Sequence, residues 1–302
     1  MDDAAGDPDG SAADRARVSR GLAAVAVAAL LIAPAAPAQT LRVLTSSRQR
    51  HGETALTVDV TYAAGRFHLS PAAPGTLYQM EMRYDEDKFT PVREYDAATG
   101  ALRLGLRSRG HVTLANNGDD EDVPTLDLAL ARDLPLALSI EMGAAEADAD
   151  FGGLALRSLR YKTGASKSQL RFSRANPVEC DALTLEVGAA QFTATGLANA
   201  NCRHLKVEGG VGAVALDFTG AWRGPMEADV HLALGTLKLQ LPRDLGVTLS
   251  INRFLASFDQ SGFTRRGDVY YSDNYASARS HLDLKLESAF GGVQVFWVDA
   301  SR

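Results

Sequence analysis

One repeat constrains this 302-residue chain more than any other feature, because the same alternation of apolar and polar residues recurs about every 22 residues. The repeats align on a reference position, which is Gly143, Gly164, Gly188, Gly210, Ala233, Phe254 and Ala289. Apolar residues stand five and three positions before it: Leu138 and Ile140, Leu159 and Tyr161, Leu183 and Leu185, Leu205 and Val207, Ala228 and Val230, Leu249 and Ile251, Leu284 and Leu286. Polar residues stand beside them, as at Lys206 and Glu208. Alternation with period two is typical of a strand with one buried face, and its recurrence indicates stacked equivalent strands.

Three further columns follow the reference position. Small residues stand two positions after it: Ala145, Ser166, Ala190, Gly212, Gly235, Ala256 and Gly291. They predict a corner where one strand closely approaches the next. Two apolar columns come next: Phe192, Val214, Leu237, Phe258 and Val293, then Phe151, Phe172, Phe218, Leu241 and Trp297. The columns predict an all-β fold, a parallel β-solenoid (β-helix) of about 22-residue coils. A sandwich of antiparallel hairpins is the alternative.

The repeat is weaker in the N-terminal half of the chain. One further coil is predicted around Ala63, where the same columns reappear, and Tyr78–Tyr84 and Ala101–Arg107 also alternate like strands. We interpret residues 39–135 as an N-terminal β cap and residues 136–302 as the solenoid repeats. Because no Pro/Ser-rich linker separates the two parts, one continuous core is expected.

Residues 1–38 are typical of a cleaved signal peptide. Basic residues between Arg15 and Arg20 precede an apolar run at Gly21–Ala33, and the segment ending at Ala38 has the small-x-small pattern of a signal-peptidase site. An uncleaved membrane anchor is the alternative. Cleavage after Ala38 predicts an exported protein, periplasmic or at the cell surface, with no permanent membrane span.

The two cysteines occupy equivalent places in successive repeats. Cys180 stands eight residues before Gly188, and Cys202 stands eight residues before Gly210. Equivalent positions on stacked coils have Cα atoms about 5 Å apart, a distance that a disulfide tolerates, and an exported chain reaches an oxidising compartment. We therefore predict a Cys180–Cys202 disulfide, with an unbonded pair as the alternative.

Composition and motifs exclude several function classes. The net charge of −6 argues against a nucleic-acid partner. The sequence contains no C-x-x-C, H-E-x-x-H or G-x-S-x-G motif and no phosphate-binding loop, so we predict no catalytic site, no cofactor and no metal site. The acidic segment Asn116–Asp122 is rich in oxygen ligands that could bind calcium, but it lacks the spacing of an EF-hand, and we interpret it as a solvated loop.

One outward column offers an alternative to this non-enzymatic prediction. Glu186, Glu208 and His231 are expected on successive coils, with Lys206 beside them. Stacked carboxylates and a basic group are the chemistry of polysaccharide-cleaving β-helix enzymes. A solvated ladder of opposite charges is the interpretation that we favour.

An insertion at Phe263–Ser280 lengthens the last interval to 35 residues and is interpreted as a protruding loop. It contains a group of arginine, asparagine and tyrosine residues: Arg265, Arg266, Tyr270, Tyr271, Asn274 and Tyr275. Such side chains on a rigid scaffold are typical of protein or glycan recognition. They predict a binding loop, unless the tyrosines fold back and cap the last coil.

Several short runs also carry a resemblance to a known family: residues 143–148, 207–212, 216–222, 241–247 and 262–266. The chain resembles the bacterial toast-rack domain family, which is similar to the extracytoplasmic part of LiaF-type cell-envelope stress proteins and to candidate β-helical adhesins. The resemblance implies a solenoid without assigned catalytic residues. The expected function is a non-enzymatic cell-envelope interaction or adhesion-like module with an envelope protein or glycan as partner. The alternative is a carbohydrate-active lyase or hydrolase.

Overall fold

A computed structural model describes residues 40–110 and 123–299, without the side chains of residues 253–256. The predicted signal peptide, residues 1–38, and the acidic segment Asn116–Asp122 lie outside the described residues. No helix among the described residues has the length and apolar character needed to cross a membrane.

The described residues form fifteen strands and a 3₁₀ turn at Leu197–Ala200. The strands are β1 Leu41–Gln49, β2 Leu56–Pro71, β3 Thr76–Asp85, β4 Phe89–Asp96, β5 Ala101–Ser108, β6 Thr125–Leu130, β7 Leu136–Asp150, β8 Leu156–Arg171, β9 Cys180–Thr195, β10 Cys202–Asp217, β11 Met226–Pro242, β12 Gly246–Phe258, β13 Phe263–Arg266, β14 Val269–Ser272 and β15 His281–Val298. The fold is therefore all-β, as the alternating pattern predicts.

Eight long strands stack in parallel in the order β2, β7, β8, β9, β10, β11, β15 and β12. Antiparallel strands continue the sheet at both ends, with β6, β3 and β1 beyond β2 and with β14 and β13 beyond β12. A branch of β5 and β4 also joins β2. The result is one long, mostly parallel and open sheet.

The strand register confirms the predicted columns. Leu205 pairs with Leu183 in one neighbouring strand and with Ala228 in the other, which are 22 and 23 residues away in sequence. Around Ala63, β2 keeps the same columns, since Val58 pairs with Leu138. The apolar positions before the corner are buried, apart from partly buried Ile251, and the polar positions between them reach solvent.

The order of the last two long strands differs from the sequence prediction. The near-constant interval predicts that β12 follows β11 in the stack, but β15 lies between them and pairs with both. Leu284 of β15 is opposite Ala228 on one side and Leu249 on the other. The columns are therefore correct and the order is wrong, because β12 and β15 carry the same pattern and either fits beside β11.

Contacts in β8 and β11 show how the long strands turn at the column of small residues. In β8, Tyr161 Oη donates a hydrogen bond to Ser168 Oγ at 2.7 Å, although seven residues of straight strand span about 23 Å. At the corner of β11, Gly235 has φ 143°, and an added Cβ would collide with the carbonyl oxygen of Gly212 in β10. The two halves of each bent strand enclose a core that runs from Leu56 to Val293 without interruption.

The interpretation of the insertion Phe263–Ser280 as a protruding loop is wrong for its first half. Strands β13 and β14 form an antiparallel hairpin, and β14 pairs with β12 over three residue pairs. Apolar packing explains the difference, because Tyr270 is 5% exposed and its ring lies 5.4 Å from that of Phe258. The hairpin therefore covers the edge of β12.

Candidate functional site

An open groove of about 780 Å³ crosses the parallel strands just before their corners. Small residues line it in strand after strand: Gly188, Gly210, Ala233 and Ala289. Added side-chain atoms would collide at the glycines, since a Cβ on Gly210 would lie 2.8 Å from the carbonyl oxygen of Gly188. The groove thus follows directly from the close approach of successive strands.

Polar side chains form the rim of this groove. Glu208 pairs in register with Glu186 on one side and with His231 on the other, which confirms that these three predicted residues lie on successive strands. Lys206 lies beside them on the same face. The sequence therefore located the groove residues, although nothing in it indicated a groove.

The rim carboxylates are each paired with a basic side chain. The N–O distances are 2.6 Å for Arg160–Glu186, 2.6 Å for Lys206–Glu208 and 3.0 Å for His231–Glu287. The hydrogen bond and the charge of Lys206 hold the pKa of Glu208 below its usual value. Exposed pairs of this kind contribute little to stability. Such a rim can donate and accept hydrogen bonds with a polar ligand, but an ionised Glu208 has no proton to give to a leaving group.

An apolar ridge runs beside the groove and was missed in the sequence. Val211, Leu234 and Phe290 are 54%, 47% and 44% exposed and are adjacent in register across β10, β11 and β15. The corresponding residues of β8 and β9 are Ala165 and Ala189. The ridge could have been found at the position directly after the reference residue. Along the stack from β8 to β15, the side chain at that position grows from alanine to phenylalanine.

The two cysteines meet at the first residues of β9 and β10. Cys180 and Cys202 are opposite each other in the register of β9 and β10, their Cα atoms are 4.1 Å apart, and their sulfur atoms are joined in a disulfide. Next to them, Asn176 is 2% exposed and its Nδ2 donates to the carbonyl oxygens of Leu156 and Ala200. The disulfide and the hydrogen bonds of Asn176 thus tie adjacent strands together.

The predicted binding loop separates into buried and exposed members. Tyr270 is buried, and the rings of Tyr271 and Tyr275 pack at 5.1 Å. Asn274 Nδ2 donates to the Arg243 carbonyl oxygen at 3.0 Å.

The two arginines of this loop remain exposed. The Arg265 guanidinium lies 5.7 Å from the Tyr270 ring centre, and that of Arg266 lies 5.4 Å from the Tyr271 ring centre. Contact by a partner at this hairpin would therefore involve the arginines first.

The described residues contain no group of three or more His, Cys, Asp or Glu side chains placed to hold a metal ion.

A comparison with protein families matches residues 38–193 to the N-terminal domain of toast_rack, DUF2154. The match covers 156 of 302 residues, just over half of the chain. The chain belongs to the toast-rack family. A search of curated proteins finds no match.

Two solved structures resemble this toast-rack chain at low sequence identity. A candidate cell adhesion protein of Clostridium sporogenes is 14% identical, with 85% of this chain and 100% of that chain covered and a TM-score of 0.48. A candidate adhesin of Bacteroides fragilis is 10% identical, with 84% and 97% covered and a TM-score of 0.41.

Proposed function

We propose that this chain is a non-enzymatic, adhesion-like interaction module of the cell envelope that binds an envelope protein or glycan. The groove carries the proposal, because it joins a row of hydrogen-bonding side chains to an exposed apolar ridge on a rigid stack of strands. Membership of the toast-rack family supports a scaffold of this kind.

The groove suits an elongated ligand. Its lining comes from six strands, β8 to β12 and β15, and five strand spacings of about 4.8 Å give a length of about 24 Å. An extended peptide of about seven residues has the same length. A linear glycan or an extended protein segment would lie along the ridge formed by Val211, Leu234 and Phe290.

Binding is favoured over the carbohydrate-cleaving alternative by the charges of the rim. Glycoside hydrolysis uses one carboxyl group that stays protonated, which requires a raised pKa. The pKa of Glu208 moves in the other direction because Lys206 stabilises its ionised form. Glu186 is likewise paired with Arg160.

The wider architecture and location belong to the same proposal. Each long strand with its return segment is one coil of a β-solenoid of about 22 residues. Residues 39–135 contain the coil around Ala63, and the other strands of this range cap it. The predicted signal peptide, residues 1–38, directs the chain to the periplasm or the cell surface. A link to envelope stress rests on the resemblance to LiaF-type proteins alone.

A groove-filling substitution tests the binding site. Ala233→Trp places an indole in the groove from an exposed position on β11, and Lys238→Trp places the same group on the exposed second half of that strand. The full-length wild-type protein is tested on an array of bacterial envelope glycans and in a pull-down from an envelope extract. We expect it to bind some of the glycans or to capture proteins from the extract. Ala233→Trp should abolish this binding, and Lys238→Trp should keep it at an unchanged melting temperature. Equal binding by both variants would contradict the proposal.

The hairpin arginines are proposed as a second contact point. Arg265→Ala together with Arg266→Ala removes two exposed cations and leaves the buried Tyr270 unchanged. We expect weaker binding in the same assay at an unchanged melting temperature. Binding at the wild-type level would limit recognition to the groove.

A further inference from the structure

The first strand of the sheet has an open edge. β1 pairs with β3 along its whole length, and no other described strand pairs with it. An edge strand presents unpaired N–H and C=O groups, which can bind another strand.

The backbone contacts define which groups face outward. The Thr40 carbonyl oxygen accepts a hydrogen bond from the Glu86 amide, so the backbone groups of Thr40 point towards β3. Backbone groups alternate sides along a strand, and the register with β3 is unbroken from Leu41 to Arg48. The outward-facing groups therefore belong to Leu41, Val43, Thr45 and Ser47.

These four residues lack the features with which proteins usually protect an edge. None is charged, none is proline, and Val43 is 64% exposed. The two arginines of β1 are engaged elsewhere. Arg42 pairs with Glu86 at 2.7 Å, and the Arg48 guanidinium lies 4.3 Å from the Tyr95 ring centre. The edge is thus an uncharged row of hydrogen-bonding groups, unlike the lysine- or proline-blocked edges common in monomers.

The opposite end of the sheet is different. Its last strand, β13, has only four residues and carries the exposed Arg265 and Arg266. Short, charged edges resist strand addition. The branch also ends in an edge strand, β4, but that strand contains Pro91 and the charged residues Arg93 and Glu94. A molecule with one open edge and protected edges elsewhere favours a closed pair over a fibre, because two open edges that face each other leave none for a third copy.

We propose that two copies of this chain associate through their β1 strands, antiparallel and related by a two-fold axis at Leu44. Leu41 then pairs with Ser47 of the other copy, and Val43 pairs with Thr45. Four residue pairs exchange two hydrogen bonds each, so the outward groups of all four residues are satisfied.

The neighbouring registers fit less well. A shift by one residue in each copy that centres the axis on Thr45 sets Arg42 opposite Arg48, where like charges repel. A shift in the other direction, to an axis at Val43, sets Ser47 opposite Gln39, which lies before the start of β1. The axis at Leu44 satisfies the backbone and avoids the charge clash, which argues for a second copy as the occupant of this edge.

The mass of the full-length protein in solution tests this pairing. We expect sedimentation equilibrium over a concentration series to give the mass of two chains for the wild type. Val43→Pro removes one outward N–H while the groups bonded to β3 stay intact, and Thr45→Lys adds a charge to the edge. Each should raise the dimer dissociation constant at least tenfold, and Val43→Ile should leave it unchanged.

Cross-linking tests the register separately. Leu44→Cys sets two thiols across the axis in a non-hydrogen-bonded pair, where side chains are closest, so we expect a covalent dimer under mild oxidation. Val43→Cys, opposite Thr45, should not form one. A wild-type chain that sediments as one chain overturns the proposal, even if β1 takes up a strand from another protein. A dimer that resists both Val43→Pro and Thr45→Lys, or one that Leu44→Cys fails to cross-link, overturns it as well.

Discussion

Gly235 provides the sharpest test of the stacked corners. The substitution Gly235→Ala has two separate costs, one from the backbone angle and one from the space that the new methyl group requires. Its φ of 143° lies where residues with a Cβ are strained, at a cost of about 1–3 kcal/mol. The methyl group also meets the carbonyl oxygen of Gly212, and relieving such a contact costs about 1–3 kcal/mol. We therefore expect Gly235→Ala to lower the free energy of unfolding by about 2–6 kcal/mol.

Two other glycines separate these costs. Gly267 has φ 62° with open space around it, so Gly267→Ala has the angular cost alone, about 1–2 kcal/mol. Gly224 has neither a positive φ nor a neighbouring atom within 4 Å. Gly224→Ala should leave the stability unchanged or raise it by up to about 1 kcal/mol, because alanine restricts the unfolded chain.

Urea unfolding followed by both far-UV circular dichroism and tryptophan fluorescence measures the three variants. Coincident transitions from the two probes would justify a two-state fit. The expected order of stability is Gly224→Ala, then Gly267→Ala, then Gly235→Ala. If Gly235→Ala is as stable as Gly267→Ala within about 0.5 kcal/mol, the close approach of β10 and β11 at the corner is refuted.

Three further predictions concern the core, the disulfide and acid stability. Val207→Asp should destabilise the protein by several kcal/mol because it buries an unpaired charge, whereas Lys206→Ala should be nearly neutral. Equal denaturation midpoints for the two variants would refute the assignment of Val207 to the core and of Lys206 to the surface. Thiol titration of the unfolded, unreduced protein should find no free thiol, because Cys180 and Cys202 are bonded; two free thiols per chain would refute the bond. Closing their 22-residue loop should contribute about 3 kcal/mol to stability. The pKa of Glu53 is lowered to about 2 by hydrogen bonds from the backbone amides of His51 and Glu53 and from the Tyr95 hydroxyl. The stability that the ionised carboxylate adds is therefore complete above about pH 4.5 and is lost as the pH falls from 4.5 to 2. Glu53→Gln should remove this loss of stability between pH 4.5 and 2, as measured by acid unfolding.

The columns could be predicted from the sequence because each depends on local alternation. Leu205, Lys206 and Val207 differ in burial as period two requires, and the same pattern returns with a spacing set by one turn of the coil. Register in a parallel stack follows from matching such columns, so the partners of β8, β9 and β10 could be read directly.

The order of the strands near the C-terminus could not be predicted in this way. Leu249 of β12 and Leu284 of β15 occupy the same column, and periodicity alone does not decide which of them lies beside Ala228. Tyr78–Tyr84 was predicted as a strand and is part of β3. The antiparallel pairing of β1, β3 and β6 was hidden, because the partners lie far apart in sequence: Leu44 pairs with Met82, and Met82 pairs with Leu126.

The candidate site was only partly predictable. Glu186, Glu208 and His231 were found because they share a column, but their salt bridges depend on side-chain conformation. The exposure of Leu234 at the corner depends on a bend that the alternation does not encode.

The insertion of β15 between β11 and β12 has a consequence for folding while the chain emerges with its N-terminus first. Up to β11, each new long strand of the repeat can add to the one before it, so the stack grows in the order of translation. β12 emerges next, but its parallel partner is the 18-residue strand His281–Val298, which follows only after β13 and β14. Until then the free edge of β11 offers β12 the same columns that β15 will later use, which favours a premature pairing. Where β12 has paired with β11 first, β15 has to displace it before the sheet reaches its native order, and we expect this exchange to slow folding.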